Sequence, residues 1–257
     1  MGIDVRELFA PLLAGFLPFV RILAFLHFCP VLDQKSVSRR VRVAVALALT
    51  AVISPMLHNV VVLTALLSVQ TFLLVGEQIL WGFMFGAILQ WVFIALQTAG
   101  HILSFNMGLG MAVMNDPGNG VSTTVIAQMI FIFCVLMFFS LDGHLLLVTI
   151  LYKGFTFWPI GHAISDLTLR TVVSGVGWLI SGALLLAMPT VFIMMIVQGV
   201  FGLLNRVSPA LNLFSLGFPI SMLFGLFCIG LLVSNMPDHY LHLTNDVLAQ
   251  LDRLREA

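Results

Sequence analysis

Six long apolar stretches separated by short polar connectors restrict what this sequence can fold into. One membrane crossing needs about 20 apolar residues, a length that every stretch reaches. Charged residues make up only 9% of the chain, whereas soluble domains carry about 25%. The stretches are residues 8–32, 43–66, 69–103, 124–151, 172–204 and 213–235. The sequence therefore predicts an all-α integral membrane protein with long, partly broken hydrophobic helices and helical hairpins.

Two stretches are too long for one upright crossing. Residues 69–103 carry a single charge, Glu77, and as one helix would be roughly 52 Å long. Residues 172–204 are of similar length and contain Pro189, which predicts a kink or a break because proline lacks a backbone N–H. The distribution of basic residues does not predict which side of the membrane each loop faces. If the loop 33–42 lies in the cytoplasm, five Lys or Arg residues lie on each side. That tie argues against a conventional bundle of six spans.

Pairs of small residues at one-turn spacing predict places where helix backbones approach closely. The pairs are Gly82 with Gly86, Gly177 with Ser181, and Ser221 with Gly225. We expect packing against other helices there, either within the chain or from partner proteins.

The polar C-terminal segment has apolar residues at helical spacing and predicts an amphipathic helix. That helix either docks on its own protein or serves as a contact for a partner. The chain is therefore divided into a helical membrane domain, residues 1–237, and a short amphipathic helix, residues 238–257.

Several classes of function lack their sequence signatures. The net charge is zero, so the basic surface that nucleic acids require is missing. There is no GxSxG, HExxH or Gly-rich phosphate loop, and a membrane-embedded enzyme would need a nucleophile–base pair or a metal motif. No catalytic site, cofactor or metal is predicted. The three cysteines lie in separate apolar runs, which is typical of small buried side chains rather than of disulfides.

Four ionisable residues inside apolar stretches leave a second class of function open. Arg21 and Glu77 each need a partner or water at that depth. Asp142 and His144 belong to the segment Asp-Gly-His, which either breaks a helix or takes part in a proton relay. These residues allow the alternative of a small secondary transporter or proton-coupled membrane carrier. No internal repeat typical of such carriers is recognisable.

The most unusual segment is residues 104–123, called the connector below. It joins two apolar stretches, is rich in glycine and methionine, and carries one charge, Asp116. Glycine permits unusual backbone angles, and methionine fills irregular apolar gaps. Backbone of this kind cannot satisfy itself in lipid and must line or fill a space enclosed by protein, as an apolar plug in a pore does. A poorly ordered surface loop is the alternative.

The C-terminal third carries a pattern that resembles the FliR family of flagellar biosynthesis proteins, which forms one export-apparatus family with its counterpart in virulence type III secretion. The pattern comprises Asn205, Arg206, Pro209, Leu211, Asn212, Phe214, Gly217, Phe218 and Pro219. Asp116-Pro117-Gly118, Gly143-His144, the spacing from Phe155 to Pro159, the length and the hydropathy profile extend the resemblance over nearly the whole chain. One departure is Pro209-Ala210, where the family's pattern has Pro-Gln.

The resemblance implies a pore-forming subunit of a flagellar export gate, without catalytic turnover, in the bacterial inner membrane at the flagellar basal body. It implies a FliP-like part fused to a FliQ-like hairpin, assembly with FliP-, FliQ- and FlhB-type proteins, and unfolded flagellar proteins as cargo. It also implies that the connector is the plug of the pore. The implied gate residues are Met107, Gly108, Gly110, Met111, Met114, Asp116, Pro117, Gly118 and Gly120. The implied assembly residues are Asn205, Arg206, Pro209, Asn212, Phe214, Gly217, Phe218 and Pro219.

Overall fold

The computed structural model of the protein is almost entirely helical over the residues that it describes. These are residues 5–32, 37–57, 68–111, 113–115, 122–161, 166–207 and 213–256. The helices are α1 (Val5–Phe28), α2 (Arg39–Ile53), α3 (Val69–Asn106), α4 (Val125–Ser140), α5 (Gly143–Phe157), α6 (Asp166–Val207), α7 (Leu213–Ser234) and α8 (Met236–Glu256). Two 3-10 turns, Ser54–Met56 and Leu109–Met111, and an antiparallel pair of short strands, β1 (Val113–Asn115) and β2 (Ser122–Thr124), complete the described elements.

Three of the described helical segments are long and apolar enough to cross a membrane. They are Val69–Asn106, Val172–Val207 and Gly217–Ser234, and α4 with α5 makes a fourth if that pair is one interrupted span. Helix α2 has only 15 residues and falls short of the roughly 20 that a crossing needs. The prediction of an all-α integral membrane protein is confirmed, with one small β hairpin added.

Helix α6 runs through Pro189 without interruption, so the break that this proline predicted is not found. The Thr190 hydroxyl donates to the Ala187 carbonyl at 2.6 Å beside it. A break would leave several more backbone groups without partners in apolar surroundings, and the one hydrogen bond that proline removes is the smaller loss.

The Asp-Gly-His segment interrupts the apolar stretch 124–151 between α4 and α5. Asp142 adopts a left-handed conformation with φ 55°, which aspartate tolerates better than most residues. Its carbonyl accepts hydrogen bonds from the N–H groups of Leu145 and Leu146 at 2.8 and 3.3 Å, which starts α5. Asp142 and His144 are both exposed, and Asp142 lies at the bend of the chain between α4 and α5.

The chain forms two compact units, each with its own core. The first comprises Met1–Gln90, Leu141–Val173 and Gln250–Ala257, and the second comprises Trp91–Ser140 and Ser174–Ala249. Helix α3 contributes residues to both units.

In the first unit, α1 lies directly on the predicted glycine pair of α3. A Cβ atom at Gly82 would overlap the Arg21 carbonyl, and one at Gly86 would lie 2.8 Å from the Phe28 Cβ. Trp81, a buried residue of the same helix, stacks on Phe85 with ring centroids 5.7 Å apart. The close approach predicted from the spacing of this pair is confirmed, and it depends on the absence of side chains at both positions.

In the second unit, α3 and α4 meet at Gly100, where a Cβ atom would lie 2.8 Å from the Ala127 Cα. Helix α8 also packs in this unit. The Tyr240 ring contacts Phe93 edge-on at 6.2 Å, and the Leu243 side chain reaches Gly182. The apolar face of α8 is therefore docked on its own protein.

Replacing Gly82 with alanine should destabilise the protein by about 1–3 kcal/mol, because the new methyl group would push α1 away from α3. Gly76→Ala in the same helix is the matched control, since no atom of the described neighbouring elements lies within 4 Å of a Cβ at that position. Thermal unfolding of the purified protein in detergent measures the difference. Equal melting temperatures for the two variants would contradict the close approach.

Candidate functional site

The connector begins as a compact turn and continues into the hairpin. After α3 ends at Asn106, Met107 and Gly108 form a turn, and the 3-10 turn Leu109–Met111 follows. The strands then pair Val113 with Thr124, Met114 with Thr123 and Asn115 with Ser122. Of the predicted gate residues, Met111 lies in the 3-10 turn and Met114 in β1, while Asp116, Pro117, Gly118 and Gly120 lie outside the described residues.

The start of the connector is seated on α7 by two contacts. Met107 is only 1% exposed, and a Cβ atom at Gly225 would overlap its side chain. Gly108 has a left-handed φ of 75°, and its missing Cβ would lie 3.2 Å from the Phe218 ring. Phe218 and Gly225 are called the anchor site below. Two sequence patterns that were predicted separately, the connector and the C-terminal pattern, thus meet at this point.

Hydrogen bonds hold the same turn to neighbouring backbone. The Ser104 hydroxyl donates to the Leu109 carbonyl at 3.2 Å. The Gln198 amide of α6 donates to the Asn106 carbonyl at 2.8 Å. The carbonyls at the end of an α-helix lack intrahelical partners, so Gln198 satisfies one that α3 leaves free.

The returning end of the connector is tied to α3 through β2. The hydroxyl of Thr124 and Nδ1 of His101 lie 3.2 Å apart, and that hydroxyl also accepts the Ala127 N–H at 3.4 Å. Thr124 is 4% exposed. The start of the connector and the residue that directly follows it are therefore both attached within the second unit.

The C-terminal pattern divides into an exposed end of α6 and a packed part of α7. Asn205 and Arg206 are exposed in the last turn of α6. Gly217 is buried, and Phe218 packs on Gly108 as described above. Phe214 and Pro219 lie within α7, while Pro209 and Asn212 lie outside the described residues.

Arg21 is fully buried in the first unit and joins three segments. Its Nε donates to the Gln78 side-chain oxygen at 2.7 Å, and its Nη1 donates to the Trp158 and Gly154 carbonyls at 2.7 and 3.3 Å. Its guanidinium carbon lies 4.6 Å from the centre of the Phe155 ring. A cation is favoured at the C-terminal end of a helix such as α5.

Gln78 links Arg21 to Glu77, the other charge predicted to need a partner. The Gln78 amide donates to Glu77 Oε1 at 3.2 Å, and the same oxygen accepts the Gly161 N–H at 3.2 Å. These bonds to backbone and amide groups are typical of a structural network. Asp142 and His144 do not belong to it, since both are exposed at the break between α4 and α5.

Sequence reasoning missed the neutral polar residues that complete these contacts. Gln78 and Gln198 carry no charge, so nothing marked them within apolar helices. Gly225 was noted as a packing glycine, but its contact with Met107 spans more than 100 residues and leaves no local trace. Over the part of the chain that the structure describes, no three His, Cys, Asp or Glu side chains come together as a metal site.

Comparison with known proteins places the chain in a family. The model for bacterial export proteins, family 1, matches residues 12–247. The flagellar biosynthetic protein FliR of Pectobacterium carotovorum subsp. carotovorum is 33% identical over 234 residues, covering 90% of this chain and 88% of that protein. FliR of Escherichia coli strain K12 is 33% identical over 225 residues, covering 86% and 84%.

A protein with a different name matches at lower identity. The surface presentation of antigens protein SpaR of Salmonella typhimurium is 26% identical over 206 residues, covering 79% of this chain and 76% of that protein. The match to the family model and the FliR relatives both extend over most of the chain. The chain therefore belongs to the FliR family, which the model for bacterial export proteins, family 1, describes.

Proposed function

We propose that this protein is a pore-forming structural subunit of a flagellar type III protein export gate. It assembles with FliP- and FliQ-type subunits, contacts an FlhB-type protein, and conducts unfolded flagellar proteins across the bacterial inner membrane at the flagellar basal body. It has no catalytic turnover of its own. The names of the FliR relatives support the flagellar assignment.

The observation that carries the proposal is the uncovered apolar length of α6. Its segment Val172–Val207 has 36 residues. Only 22% of the most apolar 18-residue stretch in this segment is buried. Such a helix is about 54 Å long, whereas the hydrocarbon core of a bilayer is about 30 Å thick. Fitting it into lipid by tilting alone would need an angle beyond the roughly 40° that membrane helices reach. The excess apolar surface therefore needs cover from other protein subunits.

The exposed end of α6 and the start of α7 suit assembly with such subunits. Asn205 and Arg206 are exposed there and present polar groups next to apolar side chains such as Leu203 and Val207. We assign the whole C-terminal pattern, including Pro209, Asn212, Phe214, Gly217 and Pro219, to this FliQ-like hairpin and its contacts.

The connector is the plug of the proposed pore. Its attachment at Met107 and at Thr124, the residue directly after it, and its nearly uncharged sequence suit a segment that seals a protein-lined conduit against water and ions. The remaining gate residues, including Asp116, Pro117, Gly118 and Gly120, belong to the same plug by their position in the sequence.

The proposal is tested by purifying the tagged protein from membranes in a mild detergent and identifying co-purifying proteins by mass spectrometry. FliP- and FliQ-type proteins are expected in stoichiometric amounts. A variant with Leu184 and Leu185, both exposed on α6, changed to glutamate should lose them, because charges in an apolar interface are costly. Recovery of a stable monomer alone would contradict the proposal. The transporter alternative predicts that the isolated chain in liposomes accumulates a solute.

A further inference from the structure

The turn at the start of the connector is held by contacts of three different kinds. The first is the notch at Gly225. Met107 is almost completely buried there, and the notch exists only because position 225 has no side chain. Phe218 and Gly225 are seven residues apart, about two helical turns, so both lie on one face of α7.

The second contact depends on the backbone of Gly108. Its φ of 75° lies in the left-handed region, which glycine adopts without steric cost. This conformation reverses the chain directly after Met107. The reversal brings the Leu109 carbonyl to the Ser104 hydroxyl and places Gly108 against the Phe218 ring.

The third contact is polar and comes from α6. Gln198 donates to the carbonyl of Asn106, the last residue of α3. Lifting the turn from its seat would expose Met107 and would leave that carbonyl without a donor. A segment held in this way should move together with α6 and α7.

We infer that residues 104–110 remain seated on α7 both when the gate is closed and when it is open, so that Phe218 and Gly225 are positioning residues of the gate. The inference rests on the proposed function of the connector as a plug. It gives Phe218 a second role beside assembly.

Filling the notch tests the anchor site. Gly225→Val should displace Met107 and raise ion leakage through the assembled complex in liposomes by roughly tenfold, a shift typical of an overpacked contact. Gly230→Val is the matched control, because no atom of the described neighbours lies within 4 Å of a Cβ at that position of the same helix. Leakage equal to that of Gly230→Val overturns the inference.

A cross-link tests whether the turn stays seated during export. Met107→Cys with Gly225→Cys places two thiols within reach of a disulfide, in a chain whose native cysteines are changed to alanine. Export by the oxidised complex should equal export by the reduced complex. Export that stops on oxidation and returns on reduction shows that the turn must leave its seat, and overturns the inference even if Gly225→Val assembles poorly.

The two possible failures are distinguishable. A complex with a shortened connector that neither leaks nor changes export counts against the plug, and the inference falls with it. A shortened connector that leaks, next to a Gly225→Val complex that stays tight, counts against the anchor site alone.

Discussion

Removing residues 116–120 is expected to make the reconstituted complex conduct ions in the absence of cargo. The deletion shortens the proposed plug and leaves the contacts at Met107 and Thr124 in place. If the change destabilises the sealed state by about 1.4 kcal/mol, the fraction of open complexes rises roughly tenfold. Gly118→Trp should act in the same direction, because a bulky side chain would change the volume of the proposed plug. Efflux of potassium ions from loaded liposomes measures the leak.

Removal of residues 255–257 at the C-terminus is the control for this deletion. It should change neither efflux nor export, because it leaves the connector intact. A complex without residues 116–120 that retains both a tight seal and normal export would contradict the assignment of the connector as a plug.

The second large effect is expected from Arg21→Met. Methionine fills a similar space but removes the donor of the Trp158 carbonyl and of the Gln78 side-chain oxygen, while the Gly154 carbonyl keeps its bond from the Trp158 N–H. Removing one member of a buried charged network costs about 3–5 kcal/mol. The purified protein should unfold at a clearly lower temperature and give a lower yield of complex. Arg21→Lys should be intermediate, because an ammonium group carries the charge but lacks the planar fork of donors.

Arg40→Met on α2 is the matched control for this substitution. Arg40 is exposed, and exposed substitutions usually change stability by less than about 0.5 kcal/mol. An unfolding temperature of Arg21→Met that equals those of Arg40→Met and of the parent would show that the network does not stabilise the first unit.

The apolar runs predicted the long helices well because a backbone in lipid has few alternatives to a helix. The spacing of Gly82 and Gly86 predicted a real close approach, whereas Gly177 has the same kind of spacing and open space around it. The difference is that a small residue permits contact but does not supply a neighbour. Of the kink or break predicted at Pro189, the break is not found, since the local cost of a proline was outweighed by the apolar surroundings of α6.

The contact between the start of the connector and α7 could not be predicted from the sequence. Gly108 was notable as a glycine in a flexible segment, and Phe218 as part of a pattern 110 positions away. No periodicity or spacing connects two such residues, because their contact depends on how α3 and α7 pack. The same holds for Gln78, whose role becomes visible only when the buried guanidinium beside it is known.

The exposed apolar surface of α6 has a consequence for the stability of the protein in the cell. A newly made copy without the proposed partner subunits exposes apolar side chains such as Phe192 and Leu185, which are 60% and 73% exposed. Exposed apolar surfaces of this kind promote aggregation. We expect quality-control proteases to remove copies that lack the proposed partner subunits. The steady-state amount of this protein should therefore follow the amount of the proposed partner subunits. Deleting the genes of those subunits should shorten the half-life of this protein without changing its transcription.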